Sequence, residues 1–492
     1  MSVVPPSRVR ALNQAPVRRD GEYVLYWMVS ARRLEWSFAL DRALEHARDL
    51  RLPVVILEAL RVAHPWACQR FHAFVLDGMR EHRSQAEAAG VAYHPYVEPT
   101  DGAGKGLVQA LAERAAVVVT DDFPTFFLRR MQAALAPRLS VALETVDGNG
   151  LLPLADTPGP FSAAFHFRRF LQKTLGAHLV HLPGAEPLTE AGIRESAFPA
   201  DIAARWPAAP EALLALEPSA LAALPVDPRV GPTSLRGGGT EARRRLERFL
   251  DQGLARYGEE RNHPDAHAAS GLSPWLHWGH ISAHEIFHAV AVREGWSPAR
   301  LGAGSSGQRH GWWGMSPSAE SFLDELVTWR ELGYGHCHHV PDHDRYDSLP
   351  AWALETLARH AADPREAVYT LDQFDQGLTH DPTWNAAQRE LRESGVIQNY
   401  LRMLWGKKIL EWSRHPAQAL DIMIELNNRY ALDGRDPNSY SGIFWVLGRF
   451  DRGWPERPVY GKIRSMSSDS TRRKLRMDAY LDRWGAEPER GP

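Results

Sequence analysis

Residues able to do chemistry crowd the second half of the chain. In Asn399-Tyr-Leu-Arg-Met-Leu-Trp-Gly-Lys-Lys-Ile-Leu-Glu-Trp412, Trp405 and Trp412 stand seven residues apart, on one helix face and about 10.5 Å apart along the axis. That is too far for ring contact and leaves room for a third indole. Aromatic stripes at such spacing usually pack a core, but Arg402, one turn ahead of Lys407 and Lys408, is harder to place in one. In Phe322-Leu-Asp-Glu-Leu-Val-Thr-Trp-Arg-Glu331, Glu325 and Trp329 are four apart, so a carboxylate and an indole share a face. The stretch Leu426–Tyr440 is dense in Asn, Asp and Arg, and its Asp433-Gly434 and Asp436-Pro437 turns predict an ordered loop between helices.

Further segments carry weaker signals. Ser270-Gly-Leu-Ser-Pro-Trp-Leu-His277 reads as a helix start with Ser273 at the N-cap and Pro274 next, either a plain cap or an anion site. Between Glu456 and Arg476 there are seven basic residues and two acids, a solvated face by default and a phosphate-binding one if nucleic acid is the partner. His284-Glu-Ile-Phe-His288 is a literal HExxH, yet no third histidine follows at zinc-peptidase spacing, and no metal is expected. The cluster His336, Cys337, His338, His339 and His343 reads as a surface loop.

These segments need a scaffold. The 492 residues suggest two or three domains. Tyr23–Val29, Pro53–Leu57 and Val117–Thr120 are apolar, β-prone runs separated by helical periodicity, which predicts βαβ units and a doubly wound, Rossmann-like parallel sheet over 20–185. Residues 186–240, rich in Pro, Ala and Gly, read as a long linker with short helical pieces. Residues 241–485 read as an all-α domain. Tryptophan divides the chain the same way, with four up to Trp206 and thirteen from Trp275 to Trp484. A net charge of −3 excludes a global field toward nucleic acid, so any affinity for it is local. Two cysteines exclude a disulfide framework. No apolar run is long enough for a membrane span, and the N-terminus lacks a secretory apolar stretch, which predicts a soluble cytoplasmic protein; a monomer is expected.

Taken together the motifs resemble the DNA photolyase/cryptochrome family, and within it the class II cyclobutane pyrimidine dimer photolyases. The similarity runs from Tyr23-Val-Leu-Tyr-Trp-Met28 to Tyr460-Gly-Lys-Ile-Arg464. Its most specific parts are Thr379-His-Asp-Pro-Thr-Trp-Asn385, Arg402–Trp412 and Tyr430-Ala-Leu-Asp-Gly-Arg-Asp-Pro-Asn438. The resemblance implies light-driven repair of UV-damaged DNA by electron transfer from excited reduced FAD to a flipped dimer. The same fold also serves cryptochromes, flavin photoreceptors without repair, and that alternative stays open. The resemblance puts Tyr257, Ser270, Leu272, Ser273 and Asn399 among the cofactor-binding residues, Arg402 and Asp433 as a salt bridge beside the isoalloxazine, and Asn427 opposite its N5. Arg261, Glu325, Trp329, Met403 and Trp445 match the lining of the dimer pocket. Trp405, Trp384 and Trp412 match an electron path running outward from the flavin, Trp384 supplying the middle indole. Lys462, Arg464, Arg472, Arg473 and Lys474 would meet DNA phosphates. A second, antenna chromophore in the N-terminal domain is left open.

The chain also departs from the class II pattern. Gln398-Asn399 stands where His-Gly is usual, and Leu404 where Tyr is common. Leu332-Gly-Tyr-Gly-His-Cys337 replaces an Asp-Asn-Phe-Cys pattern, and residues 296–318 look like an insertion.

Overall fold

The computed structural model describes residues 4–189 and 194–485. By its internal contacts the chain divides into two units: Met1–Pro158, Thr174–Leu246 and Leu272–Ala299 form the first, and Gly159–Lys173, Glu247–Gly271 and Arg300–Pro492 the second.

The first unit is built on a six-stranded sheet of order β1-β6-β5-β2-β3-β4. Its strands are β1 (Val9–Ala11), β2 (Tyr23–Met28), β3 (Val54–Leu60), β4 (Ala92–Val97), β5 (Ala115–Asp121) and β6 (Leu143–Val146). All neighbours pair in parallel except β1, which runs antiparallel to β6. Every residue of β2 and β5 is buried, because both faces of the sheet are covered; the polar residues at the end of β5, Thr120 and Asp121, are buried with hydrogen-bond partners. On one face Val24, Tyr26 and Val119 pack with Phe38, Leu40 and Leu44 of the helix Phe38–Leu50. On the other, Leu25, Trp27 and Val118 pack with Leu107, Leu111 and Trp206. Strand order turns between β2 and β5, and there Asp121 accepts hydrogen bonds from Tyr26 Oη (2.6 Å) and from the backbone N–H groups of Val29 and Ser30 (2.7 and 2.8 Å).

The Pro-rich stretch read as a linker with short helical pieces does contain them. It holds the helices Ala200–Arg205, Glu211–Leu214 and Pro218–Ala222, and Leu213, Leu214 and Leu221 join a buried cluster with Leu60, Val75 and Leu76; residues 190–193 of it lie outside the described part. Residues 272–299, expected in the helical domain, group by contacts with the first unit.

The second unit is helical. Its strand-like pairings among the described residues are the isolated bridges Ala163 to Phe450 and Arg457 to Gly461. The sheet domain followed by a helical region is the architecture expected from the sequence. No helix among the described residues is long and apolar enough to cross a membrane.

Candidate functional site

Trp384 owes its position to the motif that contains it. Asp381 caps the helix Pro382–Ser394, accepting from the N–H groups of Thr383 (2.9 Å) and Trp384 (3.2 Å), with Pro382 in the first turn. Asn385 closes the approach by bonding both ends of Thr379 (2.7 and 2.8 Å). The Trp384 ring so fixed lies between the two indoles of the helix Asn399–Trp412. Its ring plane is nearly parallel to that of Trp405 at 6.5 Å and 4°, and it is edge-on to Trp412 at 6.2 Å and 69°. All three are buried. Trp384 Nε1 donates to the Trp405 carbonyl (3.0 Å), and Trp405 Nε1 donates to Gln388 Oε1 (2.8 Å). Gln388 is a residue that sequence reading missed; its place one turn after Trp384, on the same face, is the signal that marks it. Trp412, at the far end, meets the rings of His380 (4.9 Å) and Tyr369 (5.8 Å).

Arg402, on the same helix, makes a two-bond fork with Asp433 (3.0 and 2.8 Å). Its buried Nε has no partner among the described residues, and a charged donor held dry in this way calls for an acceptor from outside the protein. Asn427 is buried nearby in sequence to Asp433 and donates to Asn428 Oδ1 and Ser439 Oγ. Asn399, the first residue of the helix, is exposed, and Ser270 is half-buried. Tyr257 is buried with its ring edge-on to Phe249 and Phe322, and burial raises the pKa of its hydroxyl.

Glu325 and Trp329 do not sit on a regular α-helix. Residues Asp324–Trp329 form a π-helical turn between the helices Pro317–Leu323 and Arg330–His339. Such widened turns recur at functional sites because they redirect side chains without ending the helix. Arg261 donates to Glu325 Oε1 at 2.9 Å and to Ser321 Oγ at 2.9 Å. Burial raises the proton affinity of the Glu325 carboxyl, and Arg261 partly offsets this. Gln398, one of the departures noted above, is built into the fold. Its amide donates to the Arg261 carbonyl (2.9 Å), and its Oε1 caps Leu401 N (3.0 Å). Trp329, Met403 and Trp445 are half-buried.

Lys407, fully buried, escaped the sequence reading. Its ammonium donates to the Val446 carbonyl (2.7 Å) and lies 4.6 Å from the centroid of Trp445. Burial pushes its pKa down from 10.5 to about 7. Between those values the unfolded chain binds a proton that the folded protein does not, so this residue makes stability rise as pH increases from about 7 to about 10.5. In Lys407→Met that contribution to the slope is expected to vanish, as read from denaturant midpoints measured from about pH 6 to about pH 10.

The basic run behaves as a surface. Lys462, Arg464, Arg472, Arg473 and Lys474 are all exposed; Arg464 stacks on Trp454 at 4.7 Å, and Arg472 pairs with Asp469 at 2.6 Å.

Some expectations need correction. Ser273 is the first helical residue and not the cap: Leu272, at φ −85° and ψ −6°, already has helical geometry, and the exposed Ser273 makes no capping bond. Both residues belong to the first unit. The His336 cluster is not a surface loop. It ends the helix Arg330–His339, which passes through Gly333 because that residue's bare Cα allows close approach; a Cβ there would lie 3.0 Å from the Pro437 carbonyl. The helix of the HExxH sequence is packed as expected, the His284 ring lying edge-on to Phe38 at 5.1 Å and 3.4 Å from Arg8 Nη2. Among the described residues no group of three His, Cys, Asp or Glu is arranged to hold a metal ion.

No family model matches the chain. A deoxyribodipyrimidine photo-lyase of Methanothermobacter thermautotrophicus, however, is 34% identical over 490 residues, covering 97% of each chain. The chain belongs to the DNA photolyase/cryptochrome family. Deoxyribodipyrimidine photo-lyases of Arabidopsis thaliana (32% identical, 97% of this chain and 92% of that one) and of Oryza sativa (34%, 96% and 90%) match at similar length. The fold is shared with a class III photolyase of Agrobacterium tumefaciens (TM-score 0.69, 21% identity, 96% of this chain and 87% of that one). It is shared as well with a Synechocystis cryptochrome (TM-score 0.63, 16%, 94% and 88%).

Proposed function

We propose that this photolyase-family protein splits cyclobutane pyrimidine dimers in DNA in a light-driven reaction that uses reduced FAD. The observation that carries the reading is the Arg261–Glu325 pair, in which a carboxylate held from one side at 2.9 Å keeps 31% of its side chain open. An anchored, partly open carboxyl of raised proton affinity suits the polar edge of a flipped base: ionised it accepts from a ring N–H, and protonated it also donates to a ring carbonyl. The half-buried Trp329, Met403 and Trp445 supply flat or apolar walls for a lesion that stacks poorly and is extruded at reduced cost.

The residues around Arg402 fit FAD. The unpartnered Nε of Arg402, the Asp433 fork and the buried Asn427 amide form a set able to meet a polar, electron-rich ring. When bound, FAD would supply the light absorption and the electron. The residues of this chain would do the rest: Arg402 would hold positive charge toward the cofactor, Glu325 would orient the dimer, and the buried Trp405, Trp384 and Trp412 would form a dry route for an electron toward the cofactor.

The test is light-dependent restoration of dimer-containing DNA by the purified, photoreduced protein. Restoration in light and none in darkness is the expected result. Full FAD occupancy with neither repair nor dimer binding would replace the reading with a cryptochrome-like photoreceptor.

A further inference from the structure

Two segments remote in sequence, 159–173 and 300–319, contain no aspartate or glutamate at all, and both lie in the second unit. They are fastened together there. Gln172 accepts from Gly307 N (2.7 Å) and donates to the Gln308 carbonyl (2.9 Å). Arg168, buried, donates to the Gly307 carbonyl (3.3 Å) and grips the carboxylate of Asp324 with two bonds (2.8 and 3.0 Å). Asp324 opens the π-turn and directly precedes Glu325. The apparent insertion is therefore tied by one arginine to the turn that carries the proposed lesion-reading carboxylate.

The loop is held at its other end as well. Gly311 N donates to the Glu320 carboxylate, and Trp312 and Trp313 are buried with ring centroids 4.9 Å apart. Gly307 is required by this arrangement: its φ is +82°, and a Cβ would meet Arg169 Cγ at 2.6 Å. Between the two anchors Arg309 and His310 are exposed. On the adjoining helix Ala164–Thr174, Phe165, Arg169 and Lys173 follow at spacings of four, on one exposed face. The Arg169 guanidinium lies 6.0 Å from the Phe165 ring centroid. Among the described residues none of Arg169, Lys173 and Arg309 has an acidic partner within ion-pair distance; Arg309 acts on Glu325 only at longer range. In a chain of net charge −3, two acid-free segments that present exposed cations, Arg169, Lys173 and Arg309, with no ion-paired acid among the described residues make a locally basic surface. Unpaired cations of this kind suit a polyanion whose charges are regularly spaced.

We infer that Arg169, Lys173 and Arg309 form a second DNA-backbone contact, binding phosphates beside the π-turn and separate from the basic run of residues 457–476. The inference rests on the lesion-repair reading for its choice of ligand. Phosphate contacts of this type position a duplex without reading its sequence. They set the affinity for damaged and undamaged DNA alike.

The test is a salt series. Binding of a dimer-containing duplex and of its undamaged counterpart is measured by fluorescence anisotropy for the wild type and for the triple variant Arg169→Gln/Lys173→Gln/Arg309→Gln. Removing one phosphate contact flattens the plot of log K against log salt by about 0.9, so the variant's slope is expected to be shallower by about 2 to 3 on both duplexes. Repair per bound dimer stays as in the wild type. All three side chains are exposed, and a thermal melt matching the wild type confirms the fold. Should the triple variant fail to fold, Arg309→Gln alone is expected to flatten the slope by about 0.9. An unchanged slope overturns the contact while leaving the lesion reading intact. A wild type that binds both duplexes equally overturns the lesion reading, and a shallower slope for the variant on undamaged DNA then still supports the contact.

Discussion

Replacing Trp384 by phenylalanine is expected to leave FAD bound and dimer binding intact, while photoreduction of the oxidised flavin falls to background. Trp405 and Trp412 are both on the helix Asn399–Trp412, and each contacts Trp384, at 6.5 and 6.2 Å between ring centroids. Without the middle indole, the outer rings face each other across about two turns of helix, some 10.5 Å along the axis. Phenylalanine fills most of the space but is much harder to oxidise than an indole, so the packing survives and the relay does not. The substitution also removes the Trp384 Nε1 bond to the Trp405 carbonyl, at a cost of about 1 kcal/mol. That is too little to unfold a domain. The measurement is flavin absorbance under continuous illumination with an external reductant. Wild-type photoreduction in the variant would mean that the electron travels by another route.

How much of this was readable beforehand differs from element to element. β2, β3 and β5 announce themselves because strands covered on both faces are dominated by apolar, β-prone runs; the buried polar residues they also carry, Glu58 and Asp121, are hydrogen-bonded. β1 has three residues and β6 four, too short to show alternation, and β4 carries Pro95, which its place at the sheet edge allows. The middle position of Trp384 was legible through the spacing of Trp405 and Trp412 and the resemblance. The partner of Trp405, Gln388, had only its place one turn after Trp384 to mark it, since a buried amide looks like any other helix residue until its neighbour is known. The π-turn was invisible for a related reason. Nothing local in Asp324-Glu-Leu-Val-Thr-Trp329 marks an extra residue in the turn, and the Asp324 carboxylate that opens it is gripped by Arg168, more than 150 positions earlier in the chain. In sequence Lys407 looks like any lysine; only the surrounding packing reveals a desolvated ammonium against the ring of Trp445.

Glu325→Gln is expected to weaken binding of dimer-containing DNA by about tenfold to a hundredfold, the worth of about 1 to 3 kcal/mol for a two-bond contact with a base edge. Binding of undamaged DNA, flavin content and photoreduction stay unchanged. Arg261 engages Oε1 at 2.9 Å, and the glutamine carbonyl can keep that bond. The second oxygen is what changes: in the variant it becomes an N–H donor and no longer accepts from a pyrimidine ring N–H. Because the replacement is equal in size and leaves the Arg168–Asp324 bracing of the π-turn untouched, a loss confined to dimer DNA is a loss of recognition and not of fold. Equilibrium titrations of the two duplexes, paired with flavin absorbance, separate these effects. If affinity fell equally for both duplexes, Glu325 would be acting on the shape of the binding surface. If neither changed, the base edge would be read elsewhere, and the Arg261–Glu325 pair would be a structural brace between the segment preceding Asn262 and the π-turn.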